Sequence, residues 1–337
     1  MLSPLLSSSL GSLYDCRMDN REGLVMRGIN NIYTVLWEGN EYLCRIKGKL
    51  LSGLVNEYNP IAVGDRVLFT PDLMIVSRLP RKNWFSRWNV KGLCNQCVAA
   101  NIDILAVVAS VESPPFRPRF LDRAIACCHE VQPLIVMNKS DILLTEEEDE
   151  RFSLYHTLGY NVIAVSSKTG ENIDALRTLL MGKTTAFVGQ SGVGKSTLVN
   201  TLCGSNEPTG EVSGKFNRGC HTTNHAQMLL CDGYIMIDTP GVRELYPPHG
   251  DPRQIEQSFP EFRAYDTECA YPGCLHDEEP GCRIKRLVEE GKILPDRYES
   301  YLRMLKSLSE MSPEWLQREK KLPRRGEKYK VYDGESE

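Results

Sequence analysis

The octapeptide Gly189-Gln190-Ser191-Gly192-Val193-Gly194-Lys195-Ser196 constrains this chain more than any other feature in it. An apolar run from Thr184 to Val188 leads into it, and a helical pattern from Lys195 to Cys203 leaves it. The glycines let successive backbone N–H groups turn inward around phosphate oxygens, and the helix N-terminus adds the positive end of its dipole. Lys195 is expected to reach the β and γ phosphates, Ser196 to hold Mg²⁺ through its hydroxyl, and Thr197 to sit beside it against the nucleotide. A strand, loop and helix of this kind belong in a doubly wound parallel sheet.

Two further segments fit the same site. Asp238-Thr239-Pro240-Gly241 ends another apolar strand. There Asp238 is expected to bind Mg²⁺ through water, and the Gly241 N–H to sense the γ-phosphate. Asn138-Lys139-Ser140-Asp141 ends the strand Leu134 to Met137. The Asp141 carboxylate can accept both N–H groups on the guanine edge, a pair that adenine does not offer, so GTP is expected over ATP. Ser166-Ser167-Lys168 ends a further strand and either closes over the base or serves as a plain turn. The guanine segment precedes the phosphate loop, whereas in ordinary GTPases it follows. The domain is therefore expected to be circularly permuted.

Hydrolysis needs a positioned water. Small GTPases use a glutamine just after the glycine equivalent to Gly241, and here that position is Val242, so unassisted turnover is expected to be slow. The segment Arg218-Gly219-Cys220-His221-Thr222-Thr223 lies where the first switch loop belongs. Thr222 or Thr223 is expected to bind Mg²⁺. His221 is either the water-positioning group or a surface histidine.

The flanks read differently. Residues 1–20 look like a flexible tail. Residues 21–98 hold short β-type runs separated by Gly, Asn and Pro, as in a small all-β barrel; an OB-fold is expected, and an SH3-like barrel would give similar patterning. Residues 99–248 carry the alternating strands and helices of the nucleotide domain, with a helix from Phe120 to Glu130. In residues 249–337, Cys269-x4-Cys274-x-His276-x5-Cys282 supplies three thiolates and an imidazole, a closed tetrahedral set for one structural zinc in a mostly helical module. Cys94 and Cys97 lack a nearby second pair, and Cys127, Cys128 and His129 sit on an expected helix where ligands would diverge, so both groups read as ordinary buried or half-buried side chains.

The net charge of −4 excludes a globally basic nucleic-acid binder, so RNA contacts must be local. Arg81, Lys82, Trp84, Arg87, Trp88 and Lys91 at the barrel's edge are candidates, against a plain linker. The basic tail from Gln317 to Lys330 is another candidate. No apolar run reaches bilayer length and no basic leader opens the chain, so a cytoplasmic protein with no membrane contact is expected. Twelve cysteines beside a nucleotide site suit the reducing cytosol better than a disulfide scaffold.

From about Arg21 to Leu308 the chain resembles the ribosome small-subunit-dependent GTPases, the RsgA or YjeQ family. The resemblance rests on the permuted order, the Arg-Gly-x-His-Thr-Thr loop, Asp-x-Pro-Gly-Val-Arg-Glu from Asp238 to Glu244, and the Cys/Cys/His/Cys set followed by Arg297-Tyr298. It implies an OB-fold, a permuted GTPase core and a zinc module. It implies a protein that binds the small ribosomal subunit and its rRNA and assists late maturation; a monomer is expected. GTP hydrolysis would be stimulated by the subunit and coupled to release, with His221 positioning water. Two rival readings remain: a nucleotide-gated RNA-binding module with incidental hydrolysis, and a GTPase acting on another RNA.

Overall fold

The computed structural model describes residues 20–46, 58–204, 225–242, 244–265 and 268–310. The chain opens with β1 (Arg21–Ile29), β2 (Ile32–Trp37), β3 (Asn40–Ile46), β4 (Arg66–Phe69) and β5 (Met74–Arg78). β1 pairs with both β2 and β4, β2 with β3, β3 in parallel with β5, and β5 with β4. The circuit closes, which leaves a five-stranded barrel as in an OB-fold. Alternating residues point inward: Val25, Tyr33, Val35, Cys44, Val67, Phe69 and Ile75 fill the interior.

β6 (Trp84–Asn89) and β7 (Cys94–Ala100) form a hairpin outside the barrel circuit. Their sheet is completed by β9 (Cys128–His129), which pairs with β6. The barrel rests on this hairpin at one close approach. Gly64 has φ +90°, and a Cβ there would lie 2.0 Å from the Ala100 carbonyl oxygen, so only glycine fits.

The nucleotide domain begins with β8 (Ile104–Ser110), every residue of which is buried, followed by α1 (Pro118–Ala126). The helix expected to run to Glu130 stops at Ala126, because Cys128 and His129 leave it to pair with Phe85 and Trp84. Next come β10 (Gln132–Asn138), α2 (Glu146–Thr157), β11 (Asn161–Val165), α3 (Ile173–Leu180), β12 (Thr184–Gly189), α4 (Lys195–Cys203), β13 (Gln227–Cys231) and β14 (Tyr234–Asp238). α2 starts at a capping box: Thr145 Oγ1 accepts from the Glu148 N–H at 3.3 Å, and the Glu148 carboxylate accepts from the Thr145 N–H at 2.9 Å.

The strand order is β11-β10-β8-β12-β14-β13, parallel except for β13. The first strand of the domain in the chain, β8, thus lies at its centre. Apolar cores cover both faces, one around Leu105, Val107, Leu121 and Ile135, the other around Val108, Val136, Leu176 and Leu198. β13 also touches β1 through Arg27 and Gln227, so barrel and domain share one continuous sheet.

The last module holds α5 (Arg253–Glu256), α6 (Pro260–Arg263), α7 (Arg283–Glu289) and α8 (Pro295–Glu310). Ile255, Phe259, Phe262, Ile284, Tyr301 and Met304 form its small core. α8 packs on α1. Arg297 of α8 is buried between Asp122 of α1, which it ion-pairs, and Glu261, at 2.8 Å. Arg151–Asp296 and Arg119–Glu299 pairs flank that contact. No helix among the described residues is long and apolar enough to cross a membrane.

Candidate nucleotide site and metal cluster

The ends of β10, β11, β12 and β14 converge at one edge of the sheet, where ligands of doubly wound folds bind. Gly192 and Gly194 adopt φ +91° and +83°, which turns the loop after β12 back toward the N-terminus of α4. A Cβ on Gly194 would lie 2.4 Å from Asn138 Nδ2, so the guanine segment presses directly on the phosphate loop. Asn138 is fully buried and holds both sides. Its Nδ2 donates to the Val193 carbonyl at 2.9 Å, and its Oδ1 accepts from the Ser167 N–H at 3.1 Å. Lys139 Nζ donates to the carbonyls of Glu112, Ser113 and Gly192 at 2.7, 2.8 and 3.0 Å, tying three loops with one ammonium.

Asp141 accepts from Ser166 Oγ at 2.7 Å. That hydroxyl holds the Asp141 carboxyl below its ordinary range, with Lys168 and Lys139 adding to the effect. Lys168 Nζ stands 3.8 Å from Asp141 on the exposed side. The Ser166-Ser167-Lys168 turn is therefore bonded to the guanine segment. Two partners carry no motif signature: Glu171 accepts from Ser140 Oγ at 2.8 Å, and the Val165 carbonyl accepts from the Ser140 N–H at 3.0 Å.

On the phosphate side, Lys195 is buried and ion-paired with Asp238. Ser196 and Thr197 lie exposed in the first turn of α4. Gln190 accepts from the Val193 N–H at 3.4 Å. Gly241 lies against Ser191, where an added Cβ would sit 3.4 Å from its Cα. The Val242 N–H donates to the Gly189 carbonyl at 3.2 Å, and Thr239 Oγ1 donates to the Phe187 carbonyl at 2.7 Å, so the segment after Asp238 lies along β12. His221, Thr222 and Thr223 lie outside the described residues, as do the tail 1–19 and the basic run 317–330.

Cys269, Cys274, His276 and Cys282 come together with their ligand atoms all within 4.8 Å of one another. Nδ1 of His276 faces Cys269 Sγ at 3.6 Å and Cys282 Sγ at 3.5 Å. Its Nε2 faces Glu256 Oε1 at 3.3 Å, which fixes the ring so that Nδ1 is the free donor. The loop is anchored from α8, where the hydroxyls of Tyr298 and Tyr301 donate to the carbonyls of His276 and Leu275 at 2.6 and 2.8 Å. Glu256 lies on a separate helix, outside the Cys/His spacing, and nothing in that spacing announces it. The donor set is one that a tetrahedral metal ion fits.

The candidate RNA-contact cluster is mostly structural. Arg81 is buried against Asp65 at 2.7 Å, Trp88 is buried beside His249, and Trp84 stacks on His129 at 4.0 Å. Arg87 bonds Gln96 at 3.3 Å. Only Lys82 and Lys91 of the six are exposed. The hairpin's pairing with β9 sets Trp84 against His129, while Arg81 is taken up by Asp65 and Arg87 by the neighbouring strand.

Fold and site together define a circularly permuted P-loop GTPase with an N-terminal barrel. The family model described as "RsgA N-terminal domain" matches residues 22–73, and that described as "RsgA GTPase" matches residues 78–246. The chain belongs to the RsgA GTPase family. A relative from Borreliella burgdorferi (strain ZS7), named "Small ribosomal subunit biogenesis GTPase RsgA", is 35% identical over 300 residues, covering 86% of this chain and 97% of the relative. The crystal structure of YjeQ from Thermotoga maritima is similar, with a TM-score of 0.63 and 30% identity, over 86% of this chain and 98% of that one. That of YloQ, described as a circularly permuted GTPase, shares the fold with a TM-score of 0.60 and 23% identity, over 88% and 97% of the two chains.

Proposed function

We propose that this GTPase binds the small ribosomal subunit during its late maturation, and that the subunit stimulates hydrolysis and thereby the protein's own release. The carrying observation is the permuted core itself. The segment after Asp238 leads through residues 244–250 straight into the Cys/His module, so a change at Gly241 has a short covalent path to a second binding surface. The naming of the relatives supports the subunit as partner.

In this reading Asp141 selects guanine, Asn138 and Lys139 brace the phosphate loop, and Ser166 and Lys168 close over the base. Backbone N–H groups from Gly189 to Ser196 and the dipole of α4 hold the phosphates. Lys195 exchanges its Asp238 partner for the β and γ phosphates. Mg²⁺ carried with GTP would neutralise phosphate charge, held by Ser196, Asp238 and Thr222 or Thr223. His221 positions the water that Val242 is unable to orient. The Cys/His set holds one structural zinc, which would stabilise its module and take no part in the reaction. The protein acts as a cytoplasmic monomer, with Lys82, Lys91 and the basic tail as rRNA contacts.

GTP turnover with and without purified small subunits tests this, alongside His221→Ala. Strong stimulation that the variant loses supports both parts of the reading. Stimulation that survives in the variant reassigns the catalytic group. Tight GTP binding without stimulation favours the nucleotide-gated module, a reading that Val242 specifically permits; stimulation by free RNA instead points to another RNA partner.

A further inference from the structure

The guanine segment leaves β10 through a backbone turn that most residues avoid. Asn138 is the last residue of the strand, and Lys139 after it has φ +67°, in the left-handed region. The Ile142 N–H donates to the Lys139 carbonyl at 3.0 Å and closes the turn. A strained residue of this kind persists only where its surroundings hold it. The Lys139 ammonium supplies one hold, on the carbonyls of Glu112, Ser113 and Gly192. The loop after β11 supplies the other, through Ser140. The Ser140 N–H donates to the Val165 carbonyl at 3.0 Å, and Ser140 Oγ donates to Glu171 Oε2 at 2.8 Å.

Glu171 also fixes the loop from which it reaches. Its carbonyl accepts from the Ser166 N–H at 3.1 Å, and its N–H donates to Thr169 Oγ1 at 3.4 Å. Ser166 Oγ donates to Asp141 Oδ1 at 2.7 Å and accepts from the Lys168 and Thr169 N–H groups at 3.3 and 3.1 Å. One residue, through its carboxylate and its carbonyl, thus joins the two segments on which Asp141 depends. Ser166 fixes the Asp141 carboxylate from one side, and Glu171 fixes the backbone that carries it from the other.

We infer that Glu171 is a positioning residue that sets guanine specificity, an assignment that rests on Asp141 being the group that reads the base. Its bond to Ser140 holds the turn at Lys139, so that both Asp141 oxygens meet the two N–H groups of the guanine edge. A carboxylate oxygen has lone pairs to spare, so Oδ1 accepts from the base while it also accepts from Ser166. Guanine offers a ring N–H and an exocyclic amino group side by side, and a carboxylate engages both only when its plane and angle match the base. Released from Glu171, the carboxylate still finds the ring N–H but loses the amino group. Glu171 touches no atom of the nucleotide and acts through Ser140 and Asp141. A bond that only stitched two loops together would weaken all nucleotides alike.

The test measures affinities for GTP, inosine triphosphate and ATP by titration calorimetry on the full-length protein. Inosine keeps the ring N–H of guanine and lacks the amino group. Glu171 is exposed, so its variants should fold as the wild type does. Glu171→Ala should lower GTP affinity roughly three- to tenfold, as for the loss of one hydrogen bond to a charged group. Inosine triphosphate affinity should fall less than about twofold, so the preference for GTP over it shrinks. Glu171→Gln, whose amide oxygen still accepts from Ser140, should recover most of that preference. Ser140→Ala should match Glu171→Ala, and the double variant should be no worse than either, because all three lack the same bond. Equal losses for the three nucleotides, or an unchanged preference in Glu171→Ala, overturn the inference. Asp141→Asn separates it from the reading beneath it. If Asp141→Asn abolishes the preference and Glu171→Ala keeps it, Glu171 alone is wrongly assigned. If Asp141→Asn also keeps it, Asp141 does not read the base and both assignments fall.

Discussion

The Asn138 side-chain amide donates to the Val193 carbonyl at 2.9 Å, bonding the guanine segment to the phosphate loop across 55 residues of chain. In this permuted order the two segments come from the first and second halves of the domain, and their contact is made wholly by tertiary structure. Replacing Asn138 with alanine leaves that carbonyl and the Ser167 N–H without a partner in a buried site. Each orphaned group costs about 1–3 kcal/mol, and about 1.4 kcal/mol is tenfold in affinity. GTP affinity measured with a fluorescent analogue should fall at least about tenfold, while the metal content of the Cys/His cluster stays unchanged.

Asp141 is held below its ordinary range by the Ser166 hydroxyl. A depressed carboxyl favours the folded arrangement above its ordinary pKa of about 3.9 and loses that contribution as pH falls through the lowered value. Guanine recognition by Asp141 should therefore be flat from neutral pH down to about 4. Ser166→Ala should move the acid limb of GTP binding to higher pH. Asp141→Asn should lower GTP affinity much more than ATP affinity if, as proposed, the carboxylate accepts the guanine N–H pair. Titration calorimetry across pH with both nucleotides checks each outcome.

Arg297 is the buried link between the last module and the nucleotide domain, paired with Asp122 and Glu261 and lying over Phe259 at 4.4 Å. Arg297→Ala leaves two carboxylates with no cation in a dry interface. Breaking a buried pair in this way costs about 3–5 kcal/mol. Denaturant unfolding should show the loss, with the module's transition separating from that of the GTPase domain. Arg297→Lys should recover little, since an ammonium does not reproduce the planar fork that reaches both carboxylates.

The module built on α5 to α8 has a small apolar core beside its donor set. Metal removal by a strong chelator should unfold residues 268–310 and leave the barrel and the parallel sheet intact, as read by hydrogen exchange. Elemental analysis should find one zinc per chain. Glu256→Ala should weaken metal retention about 10- to 100-fold without touching a ligand atom, because it frees the His276 ring to turn.

The nucleotide site was legible for a local reason. Each signature combines residues whose chemistry is tied to short spacing: glycines that reach positive φ at 192 and 194, a lysine, a hydroxyl, and carboxylates at strand ends. The spacing of Cys269, Cys274, His276 and Cys282 is informative in the same way. The hairpin from Trp84 to Ala100 was not legible. Its alternation suits any half-buried sheet, and only the long-range pairing with Cys128 and His129 sets which face is covered. That pairing also shortens α1 to Ala126, against a helical pattern that runs on to Glu130.

By itself, the sequence determined the permuted order, the segments proposed to meet the nucleotide, and the Cys/His set that comes together at 269, 274, 276 and 282, since these are properties of near neighbours in the chain. Only the tertiary structure decided which distant groups complete them. It set Glu256 behind His276, and Arg297 against Asp122 across 175 residues. Such pairs depend on how helices and strands pack, and an ion pair or a hydrogen bond between remote positions leaves no local pattern for its residues to carry.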